Sequence, residues 1–185
     1  VQGTSRGFTF HLPGAVSKCG GRVMNARQIE LVQTSFAQVQ PIATVASGLF
    51  YARLFDLDPA LKPLFRGDLA EQGHKLMTML GVAVANLNRP EVVRPALWKL
   101  GQRHAGYGVT DAHYDTVGVA LLWTLEQGLG AAFTTEVRQA WSALYTLVAD
   151  TMKAAARHVQ ATPAGQAAPE LELGSDASAP RSGLR

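Results

Sequence analysis

Apolar residues recur along this chain at three- and four-residue steps, the period of an amphipathic helix, and nowhere in the alternation of a half-buried strand. Ile29, Val32, Phe36 and Val39 form the first stripe, and Asn25-Ala26-Arg27-Gln28 ahead of it has the capping-box form. Pro41 interrupts this run, and a second contains Ile42, Val45, Leu49, Phe50, Leu54 and Phe55. Asp58-Pro59 predicts the start of a short third helix, and Phe65-Arg66-Gly67-Asp68 a corner. A long helix over about 68–88 then places Leu69, Gln72, Leu76, Met79, Leu80, Ala83 and Leu87 on one side. Pro90 opens a helix that carries Leu97 and Leu100 and ends at His104. Thr110 caps a run through Val117, Leu121, Leu122 and Leu125, which Gly128 and Gly130 close. Thr134 starts the last helix, with Val137, Trp141, Leu144, Leu147, Val148 and Met152. The pattern predicts an all-α domain over residues 25–160, with about seven helices, the third of them short, and no internal repeat.

The flanks differ. Residues 1–24 mix Gly, Pro, Ser and Arg without a period, and residues 161–185 turn to Ala, Pro, Gly and Ser, so both are read as disordered. With 47% hydrophobic and 17% charged residues among 185, the chain can fill the core of one domain. Its formal charge of +3 owes much to Arg6, Lys18, Arg22 and Arg27, which no acid precedes before Glu30. The remainder is close to neutral and has no basic stripe to follow a phosphate backbone, so nucleic acid is not an expected partner. The acid-free start reads either as a transit-like segment or as an idle tail. Cys19 stands alone, which excludes an intrachain disulfide. No apolar run approaches the roughly 20 residues that cross a bilayer. A soluble cytoplasmic protein with no membrane partner is expected.

Chemistry concentrates at Leu100-Gly101-Gln102-Arg103-His104-Ala105-Gly106-Tyr107-Gly108-Val109, where a histidine ends a helix and glycines follow. That imidazole sits on a rigid element and is either a metal or haem-iron ligand or a helix-end cation facing the macrodipole. The other histidines are weaker candidates. His11 and His158 lie in or beside the tails, and His74 falls about 200° round its helix from Gln72, away from the apolar stripe. No HxxxH, HExxH or CxxC spacing supports zinc, and no GxSxG, phosphate loop or dinucleotide fingerprint supports a hydrolase or nucleotide enzyme. Tyr51 in the apolar second helix and Gln72 on an inward face are polar groups that need partners, since leaving each unpaired costs about 1–3 kcal/mol. Either they bond one another or backbone, or both point at a shared ligand.

Leu49-Phe50-Tyr51-Ala52-Arg53-Leu54-Phe55, Asp58-Pro59 with Pro63-Leu64-Phe65, and Gln72-Gly73-His74-Lys75-Leu76-Met77 resemble the globins. So do Leu100 to His104, Gly108-Val109, His113-Tyr114 with Val117-Gly118, and Trp141-Ser142-Ala143-Leu144-Tyr145. From about Gln28 to Ala156 the chain is similar to bacterial single-domain haemoglobins, to the haem domain of flavohaemoglobins and to neuroglobin. The resemblance implies a globin fold around one haem b, iron protoporphyrin IX. By position, His104 resembles the proximal histidine on the iron. Phe65 matches the phenylalanine flat on the porphyrin, Gln72 the usual distal histidine, and Tyr51 the bacterial distal tyrosine. Leu76 is implied as a wall of the ligand pocket and Lys75 as a partner of a haem propionate. Leu100, Val109 and Tyr114 match the proximal side.

One departure stands out. In flavohaemoglobins a last-helix glutamate joins the proximal histidine and tyrosine and pushes electron density onto iron; here that position is Ala156. The resemblance therefore implies a reversible oxygen-binding haemoprotein whose small-molecule partners are O2, NO and CO. The alternative it implies is a nitric oxide dioxygenase served by a separate NAD(P)H-dependent reductase. A sensor role would need an output domain, for which the flanks are too short and too poor in apolar residues.

Overall fold

The computed structural model describes residues 24–65 and 67–161. The disorder expected of residues 1–24 and 161–185 therefore lies outside the described residues, except at Met24 and Ala161. Six α-helices and no strand occur among the described residues. Helix α1 (Ala26–Val39) opens on a closed capping box, with Gln28 N donating to Asn25 Oδ1 at 2.8 Å and Asn25 N donating to Gln28 Oε1 at 3.0 Å. Pro41 lacks the N–H that would continue it. The chain makes a 3₁₀ turn over Gln40–Ile42 before α2 (Ala43–Leu57).

The short third helix is a 3₁₀ turn, Pro59–Leu64, not an α-helix, so the count is six where about seven were expected. Asp58 Oδ1 accepts from Ala60 N at 3.0 Å to start it. Pro63 inside it has no N–H for an i→i−4 bond, which leaves the tighter turn as the available helix. Next come α3 (Leu69–Ala85), α4 (Pro90–Gly106), α5 (Asp111–Leu129) and α6 (Thr135–Ala161). Asp68 caps α3 by accepting from Ala70 N at 2.8 Å, and His113 Nδ1 accepts from Thr110 N at the start of α5.

Helix α6 packs on α4 and α1, while α2 packs on α5 and α3. The α4–α6 approach is closest at Gly101, where a Cβ would lie 2.5 Å from the Met152 carbonyl oxygen, so only glycine lets the backbones meet. Trp141, 1% exposed, anchors the core and donates from Nε1 to Ser35 Oγ at 2.8 Å, which satisfies its indole N–H in an apolar setting.

This core has two parts. The larger joins α1, α2, α5 and α6, with Tyr51, Phe50 and Leu54 in it and Phe65 and Leu76 packed against it. The smaller is Tyr114, Ala149 and Met152, with Leu100 and Val109 against it. Helix α3 rests on α2 and α1, whereas α4 rests on α6, so these consecutive helices lean on different partners.

Candidate functional site

His104 lies in the last turn of α4, half-buried. The helix runs two residues past it to Gly106, and Gly108, at φ 78°, takes the left-handed conformation that turns the chain towards α5. The His104 carbonyl accepts from Tyr107 N and Val109 N, which ties the following loop to the histidine itself. Its ring Nδ1 stands 2.9 Å from the Leu100 carbonyl oxygen. A carbonyl only accepts, so this bond puts the proton on Nδ1 and leaves the Nε2 lone pair free in the neutral ring. Burial lowers the imidazole pKa, opposed in part by the Leu100 bond, and so favours that neutral form. Nε2 makes no hydrogen bond to a described residue.

Around it, the Tyr114 ring centroid is 6.4 Å and the Tyr107 centroid 6.3 Å from the imidazole. Tyr114 is buried, and its hydroxyl has no hydrogen-bond partner. Burial, with Asp111 nearby, raises its pKa and keeps it protonated. The Tyr114 carbonyl accepts from the Tyr145 hydroxyl. Ala156 offers α6 no carboxylate here. Instead the Lys153 ammonium sits 5.4 Å from the centre of the Tyr114 ring, its side chain 17% exposed, with Asp115 Oδ1 at 3.6 Å. Sequence reading missed this lysine, because the contact joins the start of α5 to the second half of α6 and follows no period within either helix.

The other candidates gather on α2, α3 and the corner between them. Tyr51 is 6% exposed and packs edge-on to Phe65 at 5.4 Å, with Phe55 at 6.0 Å. Its pKa is raised by burial, so the phenol stays a donor, and its hydroxyl bonds to no described residue. Gln72 and Leu76 are half-buried on α3. The Tyr51 and Gln72 side chains do not bond one another, so the self-satisfied alternative is not the one adopted. Lys75 is exposed and pairs with Glu71 at 2.7 Å, an i,i+4 surface pair of about 0.3–0.5 kcal/mol, weak enough to exchange for another anion.

His74 is exposed, as its rotation from Gln72 predicts, yet it also lines a cavity of about 440 Å³ between α2 and α3 that Tyr51 shares. Spacing along one helix could not reveal this, since α2 supplies the opposite wall. No group of three or more metal-ligating side chains occurs among the described residues.

A flat macrocycle fits these residues. Tyr51, Phe65 and Leu76 belong to the larger apolar cluster and Leu100, Val109 and Tyr114 to the smaller, with a neutral, unpaired imidazole nitrogen beside the latter. No helix among the described residues is long and apolar enough to cross a membrane.

The globin family model matches residues 48–152, a span that holds Tyr51, Phe65, Gln72, Lys75, Leu76, Leu100, His104, Val109 and Tyr114 but not Lys153 or Ala156. Neuroglobin of Danio rerio is 35% identical over 118 residues, covering 56% of this chain and 74% of that protein. A flavohaemoprotein of Xylella fastidiosa is 30% identical over 128 residues, covering 68% of this chain but only 32% of its own length. In three dimensions the chain is similar to an engineered carbene transferase made from a candidate nitric oxide dioxygenase of Rhodothermus marinus. The TM-score is 0.69 at 25% identity, with 75% of this chain and 96% of that one covered.

Proposed function

As a member of the globin family this chain is a haem-binding protein, and we propose that it binds one haem b through His104 and works by reversible binding of O2. The observation that carries the assignment is the state of the His104 ring, held by Leu100, neutral through burial, and with Nε2 unpaired. Bound haem supplies the iron at which a diatomic gas is held. His104 would hold the iron through its Nε2 lone pair, and the Leu100 carbonyl on its Nδ1 fixes the ring plane. Tyr51 offers its hydroxyl proton to the distal side, Gln72 a weaker amide donor, and Leu76 an apolar wall that excludes water. Phe65 would pack against the macrocycle, with Leu100, Val109 and Tyr114 holding its other face. Lys75, once released from Glu71, would pair with a propionate.

A neutral carbonyl on Nδ1 pushes less electron density through the imidazole than a carboxylate would, which favours holding O2 over splitting it. In the test, His104→Ala loses haem or its five-coordinate ferrous spectrum, while His74→Ala keeps both. An unchanged spectrum and haem content in His104→Ala overturns the assignment. Because Gln72 stands where a second histidine would, the deoxygenated ferrous protein gives no bis-histidyl spectrum.

The likeness to the Rhodothermus marinus structure supports a second reading, nitric oxide dioxygenation with electrons from a separate NAD(P)H-dependent reductase. Stopped-flow mixing of the O2-loaded ferrous protein with NO separates the two. Fast nitrate formation that continues with NADH and a reductase supports the enzyme. A single stoichiometric oxidation supports the oxygen binder.

A further inference from the structure

The cavity between α2 and α3 is distinct from the proposed haem face of α3. Gly73, His74 and Met77 line it, whereas Gln72 and Leu76 do not. At about 440 Å³ it has the size of a site for a small organic molecule. Its walls are mostly hydrocarbon, from Gly48, Phe55, Gly73 and Met77 among others, and no carboxylate, ammonium or guanidinium lines it. The Ser47 hydroxyl at its edge is already used, donating to the Thr44 carbonyl at 3.0 Å. Thr44 and His74, both exposed, bring further polar groups to its solvent side, whereas Tyr51, more than nine-tenths buried, lines it and has a hydroxyl that bonds to no described residue. A mostly apolar cavity, open to solvent on one side, with one buried unsatisfied donor selects an uncharged guest with an apolar body and an acceptor atom.

We propose that this cavity binds a neutral molecule of aromatic size carrying one hydrogen-bond acceptor, and that the guest draws the Tyr51 hydroxyl away from the haem-bound gas. The coupling rests on the distal role proposed for Tyr51 above. A phenol has a single proton and donates it fully to one acceptor at a time. Guest and O2 then compete for the same donor, and each weakens the other by the same factor.

The test uses the full-length haem-loaded protein with acetophenone as probe and ethylbenzene as a control of similar shape without an acceptor. Ligand-observed NMR shows saturable binding of acetophenone, and saturation raises the O2 dissociation rate about fivefold, the scale of one hydrogen bond. Ethylbenzene leaves that rate unchanged, and in Tyr51→Phe acetophenone no longer alters it. Gly48→Leu fills the chamber from a helical position whose added Cβ meets nothing within 4 Å. It abolishes probe binding and leaves O2 release without probe as it was; Ala52→Leu from the same wall does likewise.

Probe binding that survives both fillers, or O2 release unmoved at probe saturation, overturns the proposal. Failure of the haem reading shows elsewhere, as an unchanged spectrum in His104→Ala. If Tyr51→Phe holds haem normally and releases O2 at the unsubstituted rate, the distal role of Tyr51 is wrong and the coupling falls with it.

Discussion

Tyr51 and Tyr114 are two buried phenols whose hydroxyls bond to no described residue, and the consequences differ. Tyr51 adjoins open space, so its donor is available to a ligand; Tyr51→Phe is expected to speed O2 dissociation more than about tenfold, equivalent to about 1.4 kcal/mol, and stopped-flow release measures it. A change below about twofold would show that the hydroxyl serves something other than the bound gas. Tyr114 is closed in, 7% exposed beside Ala149 and Met152, and its hydroxyl is buried without return. Tyr114→Phe removes that cost without opening a cavity. Thermal unfolding should show the variant at least as stable as the parent, with a gain of up to about 1–3 kcal/mol. A clear loss would mean that a bound water satisfies the phenol.

Between elements, the crossing of α4 on α6 decides where His104 stands. Gly101 is one helical turn from His104, and a Cβ there would meet Met152 backbone, which cannot rotate away as a side chain can. Gly101→Ala gains about 1 kcal/mol of helix propensity but overpacks by about 1–3 kcal/mol, so the crossing opens and haem affinity falls with stability. Haem-transfer kinetics and thermal unfolding read the two losses separately. The second element-scale feature is the Lys153 ammonium that α6 brings over Tyr114, one ring away from His104. Its partner Asp115 is 82% exposed, so solvent screens the compensating charge more than the cation. A cation near the axial ligand disfavours the more positive ferric state. Lys153→Met is therefore expected to lower the haem midpoint potential, as spectroelectrochemistry measures, and an unchanged potential would place the charge too far from the iron to matter.

At the scale of the whole molecule, the core falls into two apolar clusters that share Tyr145 and Val148, and the haem proposed between them would be a structural part as well as a functional one. The α1–α6 and α2–α5 contacts lie within the larger cluster, whereas α4 rests mainly on α6 and residues 107, 108 and 110 after it are exposed. Haem removal is expected to lower hydrogen-exchange protection there first, while the surroundings of Trp141 stay protected; uniform loss would contradict the division. Much of this architecture is legible in the chain. The Asn25–Gln28 box, Pro41, Asp68, Pro90 and Thr110 set helix starts through local hydrogen bonds, and the three- and four-residue period sets their buried faces, because both effects act within one or two turns. The inward face of Gln72 and Leu76 and the place of His104 in the last turn of its helix follow from the same regularity, while the roles proposed for them rest on the resemblance to globins. Pro63 was equally local, yet the 3₁₀ form of 59–64 depends on a missing N–H that periodicity does not register. What only the tertiary structure decided are encounters between helices: Tyr51 left unbonded to Gln72, His74 and Tyr51 on one cavity, Lys153 over Tyr114, and Gly101 against Met152. Each depends on how two helices cross, and crossing geometry is set by the packing of whole faces, which no single segment of sequence encodes.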